Sequence, residues 1–194
     1  MLRADFCILY LIAEQVILVH FENRFSKGKG RASLSGMRKV MMKIATVWDI
    51  GVGRRGPGTW GTLAAVPLYV LLSFLPWWAY MASTLCLIVL AIVASEIYEQ
   101  ETGTHDLPQV VIDEVAGFLV TMVLIPRTWQ SVFIGFLLFR VLDIWKPFPI
   151  RWVDRRVHGG VGVVADDLLA GVIANLILQV LYTQTYLLGL RLMI

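Results

Sequence analysis

Long apolar runs separated by short polar segments constrain the fold of this chain more than any other sequence feature. The first run extends from Thr62 to Ser95, and Pro76-Trp77-Trp78 divides it in two, which predicts a helical hairpin with an aromatic turn. Hydrophobic residues make up 58% of the chain and charged residues 16%, whereas soluble domains are about 25% charged. This composition, with a mean hydropathy of +0.72, predicts an integral membrane protein.

Alternation of the apolar runs predicts which polar segments share one side of the membrane. The later apolar runs are 115–125, 131–142 and the stretch from Leu168 to about Leu190. Together with the hairpin they predict a multi-pass bundle of about four to five apolar helices. The polar segments that then meet on one face are 48–62, 113–114 and 143–167. That face carries nine bases between Arg24 and Arg55 and five between Arg140 and Arg156, so the positive-inside rule predicts that it is cytoplasmic.

The segment 140–171, RVLDIWKPFPIRWVDRRVHGGVGVVADDLLAG, concentrates charges of both signs between two apolar runs. Charged side chains near a bilayer are energetically costly, so their presence there indicates a functional site. Carboxylates can hold a hard cation, whereas arginine and lysine can hold a phosphate. A basic patch that only anchored the chain would not need the acids. The segment therefore predicts a site at the cytoplasmic face for a metal and an anion.

Two pairs of neighbouring acids, Asp113-Glu114 and Asp166-Asp167, are predicted to open apolar helices. Acids at a helix start have a simple structural explanation, because they cap the helix and complement its dipole. Two such pairs, with Asp143 at the end of a third helix on the same face, favour a metal or catalytic role instead. Carboxylates without a His/Cys ligand set favour Mg²⁺ over zinc. These five acids are the predicted metal ligands.

The bases of the segment exceed what one metal site needs, which predicts an anionic ligand. The residues expected to bind its phosphate are Arg140, Lys146, Arg151 and Arg155. His158 precedes Gly159-Gly160 on a predicted pliable loop, where an imidazole suits proton transfer to a leaving alkoxide. The alternative is that His158 only bonds the loop. Together these groups predict metal-assisted phosphoryl transfer from a membrane-embedded phosphate ester, with the candidate catalytic residues Asp143, Asp154 and His158.

Two further polar segments are predicted to be loops. Residues 48–62, WDIGVGRRGPGTWGT, contain glycines that let the backbone approach a ligand, and Arg54-Arg55 could meet phosphate there. This segment is not a P-loop, because the GxxxxGK[ST] order is absent. The second predicted loop is acidic, with a solvent-exposed His105 among Glu96, Glu99, Glu101 and Asp106.

Residues 1–40 are predicted to form a dispensable N-terminal extension. Glu14 and Gln15 interrupt the apolar run 6–19, and neither a basic start nor a clear cleavage site of a secretory signal accompanies it. An interfacial helix is the functional alternative for this run. The sequence SKGKGRASLSG, which follows it, is typical of a flexible linker.

Three classes of function are compatible with a charged face on a membrane protein. A lipid-phosphate phosphatase uses both the acids and the bases. In a small transporter or channel the charges would line an ion path, yet here they cluster at one face and only Arg140 sits inside an apolar run. A non-catalytic membrane anchor would leave the five carboxylates unexplained. Nucleic-acid binding is not expected, because a basic patch beside apolar spans indicates positive-inside anchoring.

The motifs resemble those of the bacterial phosphatidylglycerophosphatase A family. The resemblance is carried by the segment 140–171, by PGTWGTLAAVPLY and by DEVAGF, and it extends from about Ile44 to the end of the chain. The positions that match the polar motif positions of the family are Asp113, Glu114, Asp143, Lys146, Asp154, Asp166 and Asp167. At Arg54-Arg55 this chain is basic where the family has a neutral, proline-containing loop, which leaves the role of that loop open.

The resemblance implies an all-α, compact helical bundle over residues 41–194. It further implies a Mg²⁺-dependent enzyme of the bacterial inner membrane that converts phosphatidylglycerophosphate to phosphatidylglycerol. The expected partners are the lipid substrate and the bilayer. A carboxylate-activated water is the expected nucleophile, with a phospho-aspartate as the alternative.

Overall fold

The computed structural model describes residues 31–52, 56–104 and 107–184, with side chains from residue 35 onward. Within these residues the chain forms seven α-helices and no β-strand, which confirms an all-helical fold. The helices are α1 (Arg31–Ala45), α2 (Pro57–Leu72), α3 (Trp77–Thr102), α4 (Ile112–Thr121), α5 (Trp129–Trp145), α6 (Ile150–Asp154) and α7 (Gly159–Gln184). The predictions that lie outside the described residues are those for 6–19, Arg54, Arg55, His105 and Asp106. Contacts divide the chain into Met1–Val40 and Met41–Ile194, and helices α2 to α7 belong to the second unit.

The short helix α4 forms the centre of the second unit. It packs against α2, α3, α5 and α7, and α7 in turn contacts α3, α5 and α6. Side chains on all sides of α4 are buried, as expected for a helix surrounded by others. Phe118 and Leu119 of α4, Phe139 of α5 and Leu178 of α7 are fully buried in this core.

Glycines allow α4 and α7 to approach each other closely. A Cβ atom on Gly171 would lie 2.4 Å from the carbonyl oxygen of Gly117, and one on Gly117 would lie 2.8 Å from the carbonyl oxygen of Asp167. Small residues at such crossings let two helix backbones meet, which is the common mode of helix packing in membranes. The crossing also sets the position of Asp167 relative to α4.

Helix α4 ends inside the protein, where its last carbonyl groups need hydrogen-bond donors. The Asn175 side chain donates to the carbonyl oxygens of Thr121 and Val123 at 2.9 and 2.8 Å, and the Tyr80 hydroxyl donates to that of Leu119 at 2.7 Å. The helix therefore has 10 residues and is about 15 Å long at ~1.5 Å per residue. The predicted run 115–125 is thus a short helix followed by a turn, too short for a helical crossing of a ~30 Å hydrocarbon core.

Among the helices that the structure describes, α3 and α7 are long and apolar enough to cross a membrane. Each has 26 residues, whereas the apolar helix α2 has 16. The predicted hairpin corresponds to α2 and α3, although α2 packs mainly against α4 and α3 mainly against α7, rather than against each other. The prediction of an acidic loop at Glu96, Glu99 and Glu101 was wrong, because α3 continues through these residues and ends only at Gly103, whose φ is 67°.

The ends of the helices form two opposite groups. At one end Arg127 Nη1 donates to the carbonyl oxygen of Ser73 at 2.9 Å, which joins the α2–α3 and α4–α5 connections. At the other end lie the starts of α2, α4 and α7, the ends of α3 and α5, and the short helix α6. Exposed tryptophans occur at both ends, namely Trp77, Trp78 and Trp129 at the first, and Trp145 and Trp152 at the second.

Candidate active site

Three buried carboxylates come together between α4 and α7. One oxygen each from Asp113, Glu114 and Asp167 lies within 4.8 Å of the others. Asp113 is 7% exposed and Asp167 is 4% exposed, so water solvates neither charge well. Within the described residues neither aspartate forms an ion pair with a lysine, an arginine or a histidine. We refer to these three residues as the acidic cluster.

The two acid pairs occupy different positions in their helices. Asp113 and Glu114 lie in the first turn of α4, as predicted, where the helix dipole stabilises a negative charge by about 0.3–1 kcal/mol. The prediction that Asp166 and Asp167 open the last helix was wrong, because α7 begins at Gly159 and holds both residues in its interior. A role as helix caps therefore does not explain Asp166 and Asp167.

Glu96 explains why α7 begins so early. Its carboxylate accepts a hydrogen bond from the backbone N–H of Gly160 at 2.7 Å, which caps α7 from the neighbouring helix α3. A Cβ on Gly160 would lie 2.4 Å from the carbonyl oxygen of Ile92, so the two helices meet at this glycine. This role of Glu96 was not predicted from the sequence. The one signal for it in the sequence was the acid itself, which needs a hydrogen-bond donor.

Arg140 connects the acidic cluster to Asp143. Its Nη1 pairs with the Asp143 carboxylate one turn along α5, and it lies 3.9 Å from Glu114 Oε1. Asp143 in turn lies close enough to Asp167 for the two carboxylates to interact electrostatically. Among the described side chains, Glu114 Oε2 and Arg140 Nε are buried without a hydrogen-bond partner. A buried carboxylate oxygen without a donor is an atom that a bound cation would satisfy.

The environment of α4 makes the charged forms of its two acids unfavourable. Burial raises the pKa of Asp113 well above its usual value, and the negative charge of Glu114 adds to this effect. Burial, together with the charges of Asp167 and Asp143, raises the pKa of Glu114 to about 8, although Asp113 and Arg140 act in the opposite direction. One arginine is thus too little positive charge to hold the cluster ionised, and a cation fits this donor set.

Lys146, predicted to bind phosphate, contacts two acids. Its Nζ donates to Asp154 Oδ1 at 2.5 Å and to Asp166 Oδ2 at 2.6 Å. Burial by itself lowers the pKa of Lys146, but the hydrogen bonds and charges of the two aspartates raise it overall. Arg140 is likewise paired with acids, so two of the four predicted phosphate-binding bases hold carboxylates in place.

The other predicted phosphate-binding residues line a surface groove beside α6. The groove has a volume of about 530 Å³, and its lining is Trp145, Lys146, Pro147, Phe148, Arg151, Trp152, Arg155 and Arg156. Arg151 and Arg155 are exposed and have no ion-pair partner in the described part of the chain. His158 is also exposed, directly before α7, and about 10 Å of helix separates Gly159 from Asp166 at ~1.5 Å per residue.

Glycines of α2 complete the wall of the acidic cluster. The prediction of a loop over 48–62 was wrong in part, because α2 begins at Pro57 and its first turns face α4. A Cβ on Gly58 would lie 2.0 Å from Glu114 Oε1 and 3.0 Å from Arg140 Nη1. Proline is favoured at the first position of a helix, so Pro57 was the signal that could have revealed this helix start.

Comparison with known proteins agrees with this arrangement of motifs. The family model of phosphatidylglycerophosphatase A matches residues 43–182. The phosphatidylglycerophosphatase A of Escherichia coli is 40% identical over 144 residues, which cover 70% of this chain and 84% of that protein. The enzyme of the same name from Haemophilus influenzae is 35% identical over 136 residues, which cover 69% of this chain and 83% of that protein.

A third relative carries a different name. A putative phosphatidylinositol-3-phosphatase of Bacteroides thetaiotaomicron is 36% identical over 145 residues, which cover 71% of this chain and 90% of that protein. No solved structure matches the chain significantly. The family model covers most of the described helices, including the acidic cluster and the groove. The chain therefore belongs to the phosphatidylglycerophosphatase A family of lipid phosphatases.

Proposed function

We propose that the chain is a Mg²⁺-dependent phosphatase that hydrolyses phosphatidylglycerophosphate to phosphatidylglycerol and phosphate. The observation that carries this proposal is the acidic cluster, whose three acids have Arg140 as their one protein cation among the described residues, and of the three that cation contacts only Glu114. The two relatives named phosphatidylglycerophosphatase A support the choice of substrate. A transporter or a passive anchor would not need such a cluster at one end of the bundle.

Carboxylate oxygens without histidine or cysteine are ligands that suit Mg²⁺. We assign Asp113, Glu114 and Asp167 as the residues that hold the metal, with Asp143 and Asp166 beside them. When bound, the ion would polarise the phosphoryl oxygens and lower the pKa of a water molecule. The orphaned oxygen of Glu114 supports this assignment, because a bound cation would give that oxygen a partner.

Asp143 is our candidate for the group that takes the proton from the attacking water. Arg140 holds its carboxylate beside Asp167, so its orientation is set before substrate arrives. Asp154 acts through Lys146, which it helps to position against Asp166. His158 remains a proposed proton donor to the leaving alkoxide, and this role requires the head group to extend along α7 towards the exposed imidazole.

Removal and return of Mg²⁺ test the proposed activity. We expect the purified chain in detergent micelles to release phosphate from phosphatidylglycerophosphate, to stop in excess EDTA, and to recover when Mg²⁺ is restored. Phosphatidylinositol 3-phosphate is the second lipid to assay, because one relative is named a putative phosphatidylinositol-3-phosphatase. A chain that begins at Met37 should release phosphate at the same rate as the full chain and respond in the same way to EDTA and Mg²⁺. The reason is that we propose residues 1–40 to be a dispensable extension of the 41–194 domain. Full activity in EDTA would contradict the metal requirement.

We also propose a multi-pass arrangement in the bacterial inner membrane, with the acidic cluster at the cytoplasmic side. The apolar helices α3 and α7, and the exposed tryptophans at both ends of the bundle, support a membrane-embedded body. The cytoplasmic placement rests on the excess of bases at the cluster end over Arg127 at the other end.

Thiol labelling tests this orientation. In a Cys7→Ala/Cys86→Ala background, an impermeant reagent should label Arg127→Cys in intact spheroplasts. His158→Cys should react only after the membrane is permeabilised. Both positions are exposed, so accessibility within the protein does not limit either reaction. Labelling of His158→Cys from outside would refute the proposed orientation.

A further inference from the structure

The groove beside α6 differs from the acidic cluster in both charge and surroundings. Two of its three arginines, Arg151 and Arg155, have neither an acidic partner nor a ring contact in the described residues, whereas Arg140 and Lys146 are both paired with acids. Among the described residues near the cluster, the bases without an acidic partner are therefore arginines of the groove. Arg156 is stacked over the Trp152 ring at 4.9 Å from its centroid, which holds that wall of the groove in place.

The aromatic side chains of the groove place it at the membrane surface. Trp145 is 70% exposed, Phe148 is 84% exposed and Trp152 is 47% exposed, although all three are large and apolar. In a membrane protein such side chains lie at the level of the lipid head groups. The phosphodiester and glycerol of a phospholipid lie at the same level, next to the arginines.

Lys146 makes the groove continuous with the catalytic end of the bundle. It lines the groove, and its Nζ contacts Asp166, the neighbour of Asp167 in the acidic cluster. A lipid with two phosphates joined by a glycerol unit could therefore occupy both places at once. Its phosphodiester would lie beside the arginines, and its terminal monoester would reach the acidic cluster.

We infer that the groove is a second phosphate subsite, in which Arg151 and Arg155 bind the phosphodiester of the lipid and not the phosphate that is removed. This inference rests on the proposed function and adds the reason for its substrate class. The enzyme selects lipids that carry a phosphodiester in addition to the monoester. The arginines are specificity-determining residues, and the reacting phosphate lies at the metal that the acidic cluster would hold.

Two lipids, one with a phosphodiester and one without, test the subsite. Phosphatidylglycerophosphate carries both phosphates, whereas phosphatidate carries a monoester on the same acylated glycerol. The Arg151→Gln/Arg155→Gln variant should raise KM for the first lipid by about 10–100-fold, the range expected when charge-assisted hydrogen bonds are lost. Its kcat, and its kcat/KM for phosphatidate, should not change. Lys39→Gln removes an exposed base elsewhere and should leave all constants unchanged.

An equal loss of kcat/KM on both lipids would overturn the inference, because the arginines would then bind the monoester or stabilise the fold. Unchanged kinetics on both lipids would overturn it as well, and the arginines would be membrane anchors.

A binding measurement separates this inference from the proposed function. Short-chain phosphatidylglycerol, which has the phosphodiester alone, should quench tryptophan fluorescence in the wild type and in Asp167→Asn, but bind about 10–100-fold more weakly to the double-arginine variant. If the wild type does not hydrolyse phosphatidylglycerophosphate, the proposed function fails, yet this binding result still decides the subsite.

Discussion

Asp167→Asn is expected to lower kcat by at least about 100-fold, the upper end of the effect of altering a metal's outer-shell partners. Asp167 is one of three buried acids whose oxygens lie within 4.8 Å of one another. Asparagine keeps nearly the same shape but removes the charge. The loss should therefore reflect weaker metal binding and not a change of fold.

Thermal unfolding provides a readout for Asp167→Asn that does not depend on turnover. In EDTA the variant should unfold at the same temperature as the wild type or higher, because the substitution relieves repulsion among unpaired acids. Mg²⁺ should raise the Tm of the wild type more than that of the variant, since a ligand stabilises the state that binds it. Asp49→Asn, at an exposed acid paired with Lys43, is the control and should behave as the wild type. Near-normal turnover, or a lower Tm in EDTA, would contradict the assignment.

Gly58→Ala is expected to lower kcat by about 100-fold, the effect that a misplacement of about 1 Å can have on catalysis. The added Cβ would lie 2.0 Å from Glu114 Oε1, so the carboxylate must move away from the position it shares with Asp113 and Asp167. Because this oxygen is at the end of a flexible side chain, the helix itself need not shift. Alanine is also a better helix former than glycine by about 1 kcal/mol. We therefore expect kcat to fall and Tm to change little.

Two other glycines provide matched comparisons for Gly58→Ala. At Gly171 the added Cβ would meet the backbone oxygen of Gly117 at 2.4 Å, so Gly171→Ala should destabilise the fold by about 1–3 kcal/mol and lower Tm. At Gly36 no atom lies within 4 Å, so Gly36→Ala should leave kcat unchanged and should not lower Tm. Wild-type kcat in Gly58→Ala would show that Glu114 is not a ligand whose position matters.

Much of the chemistry could be predicted from the sequence, because it depends on residue types that occur close together in the chain. The motifs around Asp113, Asp143 and Asp167 predicted the family, and the family model and the relatives confirm it. The helical class followed from apolar runs that only helices can carry through a bilayer. The alternation of the runs predicted that five acids share one face, and the structure brings three of them, Asp113, Glu114 and Asp167, within 4.8 Å of one another.

Partners of the charged residues were decided only by the tertiary structure. Lys146 and Arg140 were both predicted to bind phosphate, yet they pair with acids on other helices or other turns. Which base meets which acid depends on distances between elements that are remote in sequence. No local pattern encodes those distances, which pair Arg140 and Lys146 with acids and leave Arg151 and Arg155 without an acidic partner among the described residues.

Glycine has two opposite uses, and the sequence alone does not distinguish them. Glycines favour loops because they are poor helix formers, and on that ground 48–62 and the segment after His158 were predicted to be loops. In the structure Gly58, Gly160 and Gly171 lie inside helices, each where another helix or its side chain leaves no space for a Cβ. The composition and motifs of the chain thus determined its class and its chemistry. Only the packing of helices around α4 decided where each helix begins, because contact with a neighbouring helix outweighs the small intrinsic preference of a glycine.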